Sequence, residues 1–249
     1  MGKNKLKKFE EMKGFHCVVE APVYSHTDLR PLPAGSERSI RRQLFSNDAP
    51  LILELGCGKG EYTVGLAKSN PGANFIGVDI KGARIYTGAK TVEDEKIPNA
   101  GFLRTQVEAL PAFFSPGDVS EIWITFPDPQ LKKANKRLTS TRFLGYYRKF
   151  MNAEGTINLK TDSPFLYEYT RRLATLNGLE ILEATDDLYG RPGDCPEKQI
   201  KTFYEQQWLS RGKTIKLLKF RLGSGPLEEP NTDDLEPDDY RAAARFNRT

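Results

Sequence analysis

Five polar side chains stand where predicted strands end, and they are the residues of this chain best suited to do chemistry. Glu54, Asp79, Gln106, Asp128 and Asp162 each lie at or just beyond the end of an apolar run. Because ligands of open parallel sheets bind outside the carboxyl ends of the strands, we expect these side chains to share one site. Four of the five are acidic, and together they form the strongest functional signal in the sequence.

The first strand tip opens a glycine-rich turn. The segment ELGCGKGE contains Gly56 and Gly58, which allow a tight strand-to-helix turn and close approach of a ligand to the backbone. A dinucleotide fingerprint needs its third glycine at the position of Glu61. Carboxylates at Glu54 and Glu61 would repel a pyrophosphate, so they favour a cationic ligand such as S-adenosylmethionine, which has no phosphate. The alternative is a structural turn with solvated acids.

Asp79 strengthens the case for an adenosine ligand. It ends the second strand, about where an acid accepts hydrogen bonds from both ribose hydroxyls. Such a bidentate contact between a carboxylate and a diol orients the ligand.

A second signal is the segment TFPDPQLKKANKRLTSTRF. Asp128 lies between Pro127 and Pro129, which favour an extended or turn conformation on both sides of it. Residues 132–149 then contain seven Lys or Arg and no acid. A carboxylate presented beside a cationic surface indicates chemistry on a polyanion, although an aspartate that only forms a turn is the competing interpretation.

The elements that position these residues alternate between strands and helices. Apolar runs predict seven strands, which include LILEL, NFIGVDI, EIWITF and GTINLKT, and segments of helical period separate most of them. This alternation predicts an α/β fold with a doubly wound, mainly parallel seven-stranded sheet.

Composition narrows the classes of protein and site. The chain has 249 residues, no apolar run long enough to cross a bilayer, and a charged N-terminus that lacks a signal peptide. Its three cysteines are far apart and it has two histidines, so we expect no disulfide framework and no metal site. We therefore predict a cytoplasmic protein with no membrane partner.

Charge and composition predict three regions. Residues 1–35 form a basic, flexible arm, residues 36–225 form the catalytic domain, and residues 226–249 form an acidic, disordered tail. The tail carries seven acids and three bases, so its charge is −4 and that of the remaining chain is +8. A basic body indicates a nucleic-acid partner.

Five motifs occur in this order along the chain: ELGCGKG, FIGVDIKGAR, FPDPQLKKANKRLT, NLKTDS and KTFYEQQW. The match to which they belong runs from about Leu51 to about Leu222. In this the chain resembles the bacterial tRNA (guanine-N7-)-methyltransferase family. The resemblance implies a class I methyltransferase (Rossmann-like) fold, S-adenosylmethionine as methyl donor, and a variable-loop guanine of tRNA as the methylated base. The residues do not distinguish a monomer from a homodimer.

The resemblance also implies roles for individual residues. Glu54 and Asp79 match the family's cofactor carboxylates, and Asp128 matches the residue assigned both cofactor contact and catalysis. The substrate-contacting positions match a further set of residues, namely Lys132, Asp162, Thr202 and Glu205.

The chain departs from the family at three places. It has Gln106 where Asp or Asn is usual, Gln130 where Trp is common, and a basic loop about two residues shorter that lacks the histidine. The side-chain amide of Gln106 still suits hydrogen bonding to an adenine edge.

Elementary chemistry leaves the role of Asp128 open. Guanine N7 has a free lone pair and needs no general base, so the enzyme's task is alignment and a carboxylate near the charge that develops. Asp128 either supplies that carboxylate or accepts a hydrogen bond from the guanine edge. Asp162 is expected to recognise guanine donors. The alternative is that it is the N-cap of the following helix, a position for which Ser163 competes.

The exposed cations are expected to contact tRNA phosphates, which gives affinity rather than base identity. The expected set is Lys132, Lys133, Lys136, Arg137 and Arg142, with Arg38, Arg41 and Arg42 as further candidates.

Two other functions remain as alternatives. One is a non-catalytic RNA-binding protein on a relict methyltransferase fold, which the intact glycine loop, Glu54 and Asp79 disfavour. The other is a nucleotide-dependent oxidoreductase, which Glu61 disfavours.

Overall fold

One mixed sheet organises the chain. The computed structural model describes residues 3–21 and 32–238, with side chains from Leu6 onward. Within this part, the strands are β1 Val18–Glu20, β2 Leu51–Leu55, β3 Asn74–Val78, β4 Ala100–Arg104, β5 Val119–Thr125, β6 Met151–Thr161, β7 Ile181–Thr185 and β8 Lys216–Arg221. Their order across the sheet is β1-β4-β3-β2-β5-β6-β8-β7. Only β8 runs against its neighbours β6 and β7, so the predicted mainly parallel α/β fold is confirmed.

Helices connect the strands. Those in the described part are α1 Lys3–Met12, α2 Ile40–Leu44, α3 Glu61–Ser69, α4 Gly82–Glu95, α5 Thr141–Tyr147, α6 Pro164–Leu176, α7 Pro196–Gln199 and α8 Phe203–Ser210. Two 3-10 turns cover Val107–Ala112 and Ala134–Lys136. None of the described helices is both long and apolar enough to span a bilayer.

The central strands are apolar on both faces because both faces are covered. Every residue of β2 and β3 is buried. Leu53 and Leu55 pack into one hydrophobic cluster, while Ile52 packs into the other on the opposite face. This alternation follows from the two-residue period of a strand, and continuous apolar runs are typical of parallel sheets between helices.

The N-terminal residues add to the sheet. All seven predicted strands are present, and β1 is an eighth that pairs in parallel with β4, with Val18 opposite Phe102. Arg104 links the two strands: it contacts Glu20 at 2.7 Å and lies 4.6 Å above the ring of Phe9 in α1. Residues 3–20, which were expected to form part of an arm, therefore contribute a helix and a strand. The rest of the predicted arm lies largely outside the described residues.

The first half of the acidic tail is also packed. Leu227 and Leu235 lie against the larger hydrophobic cluster. This differs from the expectation of a disordered tail, because the acidic stretch carries two leucines that reach apolar surface. Residues 239–249 lie outside the described part, and the division into arm, domain and tail stays a prediction.

The sheet order places the site. β2 has β3 on one side and β5 on the other, so the strand order reverses direction beside β2. Glu54 lies opposite Gly77 of β3 and Trp123 of β5. Such a reversal opens a crevice at the carboxyl ends of the strands, where ligands bind.

Candidate active site

The glycine loop after β2 requires glycine in its backbone. Gly56, Gly58 and Gly60 have φ of 72°, 57° and 73°, in the left-handed region that L side chains rarely adopt. A Cβ at Gly60 would lie 2.5 Å from the ring of Phe102, so this position also needs glycine for space. At Gly56 a Cβ would meet no atom within 4 Å, which leaves open space beside the backbone.

Glu54 is a buried carboxylate at the base of the loop. It accepts hydrogen bonds from the Thr63 amide at 2.8 Å, the Thr63 hydroxyl, and the Thr125 hydroxyl at 2.6 Å. Burial raises the pKa of Glu54 to about 7, and the charge of Asp79 adds to the shift, whereas the threonine hydrogen bonds oppose it. A positive ligand would favour the ionised form of this group.

Asp79 is oriented by the backbone. Its Oδ2 accepts from the Gly58 amide at 3.0 Å, and its Oδ1 accepts from the Lys81 amide at 2.8 Å. Each oxygen keeps a lone pair for a further donor. The carboxylate is therefore fixed beside the glycine loop and can still accept two hydroxyl groups.

A cleft lies between the glycine loop and the start of α8. Its volume is about 490 Å³, part of which is open to solvent, and it is lined by Glu54, residues 56–59, Glu61, Arg84, Thr125, Phe126 and residues 202–204. Asp79 adjoins the cleft through its hydrogen bond to Gly58.

The N-terminus of α8 is fastened to the glycine-loop helix. Glu61 accepts a hydrogen bond from the Phe203 amide at 2.8 Å, and Lys59 lies 4.6 Å from the Phe203 ring. Arg84 donates to the Tyr204 hydroxyl at 3.3 Å. Sequence reasoning gave neither aromatic residue a role of its own. Both lie inside the Thr202–Glu205 stretch that the resemblance implies to contact substrate, and they are exposed at 48% and 41%. The sequence feature that could have identified them is their position directly after Thr202 in the motif KTFYEQQW.

Thr202 and Glu205 begin α8 as a capping box. The Thr202 hydroxyl accepts from the Glu205 amide, and the Glu205 carboxylate accepts from the Thr202 amide. Thr202 lines the cleft. Glu205, by contrast, is fully buried below it.

Lys160 of β6 is the partner of Glu205 and was not predicted. Its Nζ lies 2.7 Å from Glu205 and donates to the carbonyls of Glu197 at 2.6 Å and Ile200 at 3.2 Å. Tyr189 donates to the same carboxylate at 2.7 Å. Burial lowers the pKa of Lys160, while Glu205 opposes the shift. A lysine inside an apolar strand is the signal that was available, since a buried charge needs a partner.

The loop after β5 presents Asp128 to solvent. Phe126 and Gln130 have φ of 48° and 46°, an uncommon conformation for residues other than glycine. Asp128 is exposed, and its Oδ1 accepts from the Gln130 amide at 2.9 Å, which is an Asx turn. One carboxylate oxygen thus holds the turn and the other is available to a ligand.

Arg137 corrects the expectation of an exposed phosphate contact. It is 2% exposed and donates to the carbonyls of Pro129 at 3.3 Å and Leu131 at 3.1 Å. Its guanidinium lies 4.3 Å from the ring centroid of Tyr169 and 4.7 Å from that of Phe165. Arg137 therefore fixes the Asp128 loop against α6 and is not accessible to phosphate.

The other cations of the expected surface divide into two groups. Lys132, Lys133, Lys136, Arg38, Arg42 and Arg142 are exposed. Arg41 is largely buried and donates to the Ala49 carbonyl at 2.9 Å. Its role is thus to hold the loop before β2.

Asp162, at the end of β6, is buried without a partner. It is 2% exposed, and neither carboxylate oxygen accepts a hydrogen bond from a described side chain or backbone group. Burial raises its pKa, and the charge of Asp238 adds to the shift. Its own main-chain N–H, which is near the carboxylate without the geometry of a hydrogen bond, opposes the shift, as do Lys213 and Lys216. The helix N-cap is Ser163, whose hydroxyl accepts from the Leu166 amide at 2.9 Å, so capping does not explain Asp162.

Gln106 follows β4, where it is the N-cap residue of the first 3-10 turn. It is half-buried and does not line the cleft as the structure has it. In the described part of the chain, no cluster of three or more His, Cys, Asp or Glu has the arrangement to bind a metal.

Curated relatives cover most of the chain. The family model described as "Putative methyltransferase" matches residues 48–218. A tRNA (guanine-N(7)-)-methyltransferase of Porphyromonas gingivalis is 56% identical over 82% of this chain and 85% of its own. That of Bacteroides thetaiotaomicron is 49% identical over 100% of this chain and 98% of its own. That of Bacillus subtilis is 34% identical over 69% of this chain and 80% of its own.

Solved structures agree with the fold. The 16S rRNA methyltransferase KamB has a TM-score of 0.57 at 17% identity, over 78% of this chain and 99% of that one. The antibiotic-resistance methyltransferase Kmr has a TM-score of 0.53 at 19% identity, over 82% and 95%. The solved structures agree with the fold, and the family model and the sequence relatives show the family: the chain belongs to the bacterial tRNA (guanine-N7-)-methyltransferase family.

Proposed function

We propose that this protein transfers a methyl group from S-adenosylmethionine to N7 of a variable-loop guanine in tRNA. The observation that carries the proposal is the cleft at the carboxyl ends of β2 and β5, floored by the buried Glu54 and walled by the glycine loop and α8. From the same proposal we infer that the protein modifies RNA in the cytoplasm.

The residues around the cleft fit S-adenosylmethionine. Glu54 and Asp79 repel each other, which a cationic ligand between them would relieve. Asp79 has free lone pairs for two ribose hydroxyls, and Gly56 and Gly58 leave the backbone accessible. Gln106, at the tip of β4, would contact the adenine edge. The bound donor supplies an electrophilic methyl group on a sulfonium.

Asp128 is the proposed catalytic residue. The exposed carboxylate can lie beside the purine that becomes positive as N7 is methylated, and it can also contact the donor. Arg137 holds its loop through the carbonyls of Pro129 and Leu131, which keeps Asp128 in place for alignment. An acceptor for the guanine edge is the second role open to the same carboxylate.

Asp162 is proposed to select the base. Its buried oxygens lack donors, and guanine offers N1–H and an amino group on one edge. Adenine does not present that pattern, so it would leave the carboxylate unpaired and be rejected. A buried acceptor that awaits a partner is what such discrimination requires.

The remaining substrate residues act at different distances from the base. Lys132 is exposed and would contact phosphate. Thr202 lines the cleft and can contact ligand directly. Glu205 is buried, so we propose that it acts as a positioning residue, since its pair with Lys160 supports the start of α8.

One experiment tests the proposal most directly. Purified protein is incubated with unmodified tRNA and S-adenosylmethionine, and the tRNA is then cleaved with aniline, which breaks the chain at 7-methylguanosine. We expect one cleavage site, in the variable loop. Absence of cleavage, together with no heat of binding for S-adenosylmethionine in calorimetry, would favour the relict RNA-binding protein.

A further inference from the structure

The base-selecting residue Asp162 is closed off in this structure. Its side chain is 2% exposed, and neither carboxylate oxygen accepts a hydrogen bond from a described group. A guanine edge can reach this carboxylate only if a neighbouring segment moves. One of the groups that surround Asp162 must therefore be able to leave.

Two charged neighbours of Asp162 belong to the body of the fold. Lys216 lies on β8, which is paired on both sides, and its Nζ donates to the hydroxyl and the carbonyl of Thr214, at 2.8 and 3.2 Å. The amide of Lys213 donates to the carbonyl of Trp208 at 3.1 Å, and its Nζ lies 5.1 Å from the centroid of the Trp208 ring. Neither lysine is placed to move aside for a base.

The third charged neighbour is the end of an acidic strap, residues 227–238. Leu227 and Leu235 of the strap pack against the hydrophobic core. Asp234 forms a bidentate ion pair with Arg172 of α6, at 2.7 and 2.9 Å. The strap is therefore anchored to the protein as far as its second leucine.

After that leucine, the strap makes its described polar contacts through one side chain. Residues 236 and 237 are exposed. Asp238 accepts a hydrogen bond from the Ser163 hydroxyl and another from the Phe165 amide at 3.0 Å. Since Ser163 directly follows Asp162, these two hydrogen bonds hold the end of the strap against the base-selecting residue.

The contact of Asp238 is suited to break. It places a second carboxylate near Asp162, and like charges oppose each other, so the charge of Asp238 adds to the rise in the pKa of Asp162 that burial causes. The Ser163 hydroxyl also accepts from the Leu166 amide at 2.9 Å, and it thereby caps α6 without help from the strap. Loss of the Asp238 contact would thus leave the N-cap of α6 in place.

We propose that the end of the strap, residues 236–238, is an autoinhibitory cap on the base-selecting site, and that bound RNA displaces it so that a guanine edge can reach Asp162. The RNA polyanion repels Asp238, and guanine supplies the donors that Asp162 lacks while the cap is closed. The identity of the RNA rests on the proposed function. The competing role for Asp238 is that of a permanent part of the site, which supports it or contacts the base.

The first test compares tRNA binding by the full-length variants D238A and E236A. Each removes one acid from the end of the strap, so a general effect of charge on RNA affinity is shared, and Glu236 is exposed. We expect D238A to lower the Kd for tRNA about tenfold, because a larger fraction of the protein is then open. E236A should lower it less than about twofold. Equal Kd values for the two variants, or weaker binding by D238A, overturn the cap.

The second test asks whether Asp238 also takes part in the reaction. In steady-state methylation by D238A, the KM for tRNA should fall and kcat should stay the same, since the cap acts before the base is bound. A lower kcat overturns the cap and assigns Asp238 to the site. D238N can keep one of the two hydrogen bonds, so its Kd for tRNA should lie between those of D238A and the natural chain. A higher Kd than that of the natural chain would also overturn the proposal.

Hydrogen exchange shows whether the contact forms in solution. The Phe165 amide of the free protein, followed by NMR, should exchange faster in D238A than in E236A or the natural chain. Equal exchange in all three overturns the cap. Thermal unfolding should show that the three substituted proteins are folded.

Binding and methylation are measured separately, which distinguishes this proposal from the proposed function. If D238A binds tRNA more tightly than E236A does but no 7-methylguanosine forms in the natural chain's assay, the cap stands and the methylation proposal fails. If the natural chain methylates tRNA and D238A behaves like E236A, the cap fails alone. Absence of tRNA binding by all of the proteins overturns both.

Discussion

Two regions at the carboxyl edge of the sheet, the glycine-loop side at the ends of β2 and β3 and the β5–β6 side at the ends of those strands, differ in how far the chain satisfies its own polar groups. On the glycine-loop side, Glu54 accepts three hydrogen bonds and Asp79 accepts two. On the β5–β6 side, Asp128 is exposed with one hydrogen bond, and Asp162 is buried with none from the described residues. The first side is built by the fold, whereas the second leaves acceptors for a partner.

This difference predicts two kinds of effect for substitutions in the two regions. Groups tied into many internal hydrogen bonds are part of the fold, so replacing them changes the unfolding free energy as well as binding. The exposed Asp128 contributes little to folding, and the buried Asp162, which lacks a partner, costs stability that a substrate donor would offset. Substitutions on the glycine-loop side and its α8 wall should thus change unfolding free energy. Substitutions on the β5–β6 side should change turnover or RNA binding and leave the fold intact.

The largest effect is expected at the buried pair under α8. Lys160→Met leaves Glu205 buried without its cation and should lower the unfolding free energy by about 3–5 kcal/mol, measured by urea denaturation. Lys160→Met with Glu205→Gln removes both charges and is the matched control, with a smaller loss. Equal losses for the single and double variants would contradict the pairing.

Asp128 should give the opposite result, with lost turnover and retained stability. Asp128→Asn keeps the acceptor for the Gln130 amide but removes the charge, so methyl transfer should fall about 100-fold or more in a single-turnover tritium assay. Unfolding free energy should change by less than about 0.5 kcal/mol. Should Asp128→Asn be as active as the natural enzyme and Asp128→Ala inactive, the turn and not the charge is what matters.

Glu54 couples donor binding to pH. The pKa of Glu54 in the folded protein is about 7, which exceeds the ordinary 4.5. The unfolding free energy therefore falls as pH rises from about 4.5 to 7, and this loss persists at higher pH. Glu54→Gln should raise the unfolding free energy at pH 8 by an amount on the order of 2 kcal/mol and change it little at pH 4. The same variant should bind S-adenosylmethionine about tenfold more weakly.

Calorimetry between pH 6 and 8 completes this test. Affinity of the natural protein for the donor should rise with pH as Glu54 ionises, and Glu54→Gln should lose this dependence. A pH dependence that survives the substitution would assign the titration to another group.

The smallest effects are expected from single exposed lysines. Lys132→Ala and Lys136→Ala should each lower the salt slope of tRNA binding by about 0.9 at most. Lys90→Ala removes the same charge from exposed α4 and is the control, for which the slope should not change. A uniform change for all three would indicate a long-range charge effect instead of phosphate contacts.

The fold was predictable because its strands are short apolar runs buried on both faces. Leu51–Leu55 coincides with a predicted strand, and Asn74–Val78 begins where the second was predicted and ends two residues earlier. The acids at the ends of these strands meet at one edge of the sheet. The short strand β1 was missed because three residues in a basic segment carry too little periodicity. Its pairing depends on β4, which is about 80 residues away.

The wrong assignment of Arg137 and the omission of Lys160 have one physical origin. Arg137 lies in a run of bases that has the composition of a solvated surface, and only the folded chain brings the carbonyls of Pro129 and Leu131 and the ring of Tyr169 to it. Lys160 is the opposite case. Its neighbours in the sequence are apolar, and its partner is 45 residues further along, so nothing local indicated a buried ion pair. Local composition does not report long-range partners.

The bond between Glu61 and the start of α8 has a consequence for sequence variation. Glu61 recognises the main-chain N–H of residue 203 and not its side chain. Other side chains can thus replace the aromatic ring at position 203 during evolution without loss of this hydrogen bond. Proline is the exception because it has no N–H. The hydrogen bond needs the carboxylate of Glu61, so related sequences should vary less at position 61 than at position 203.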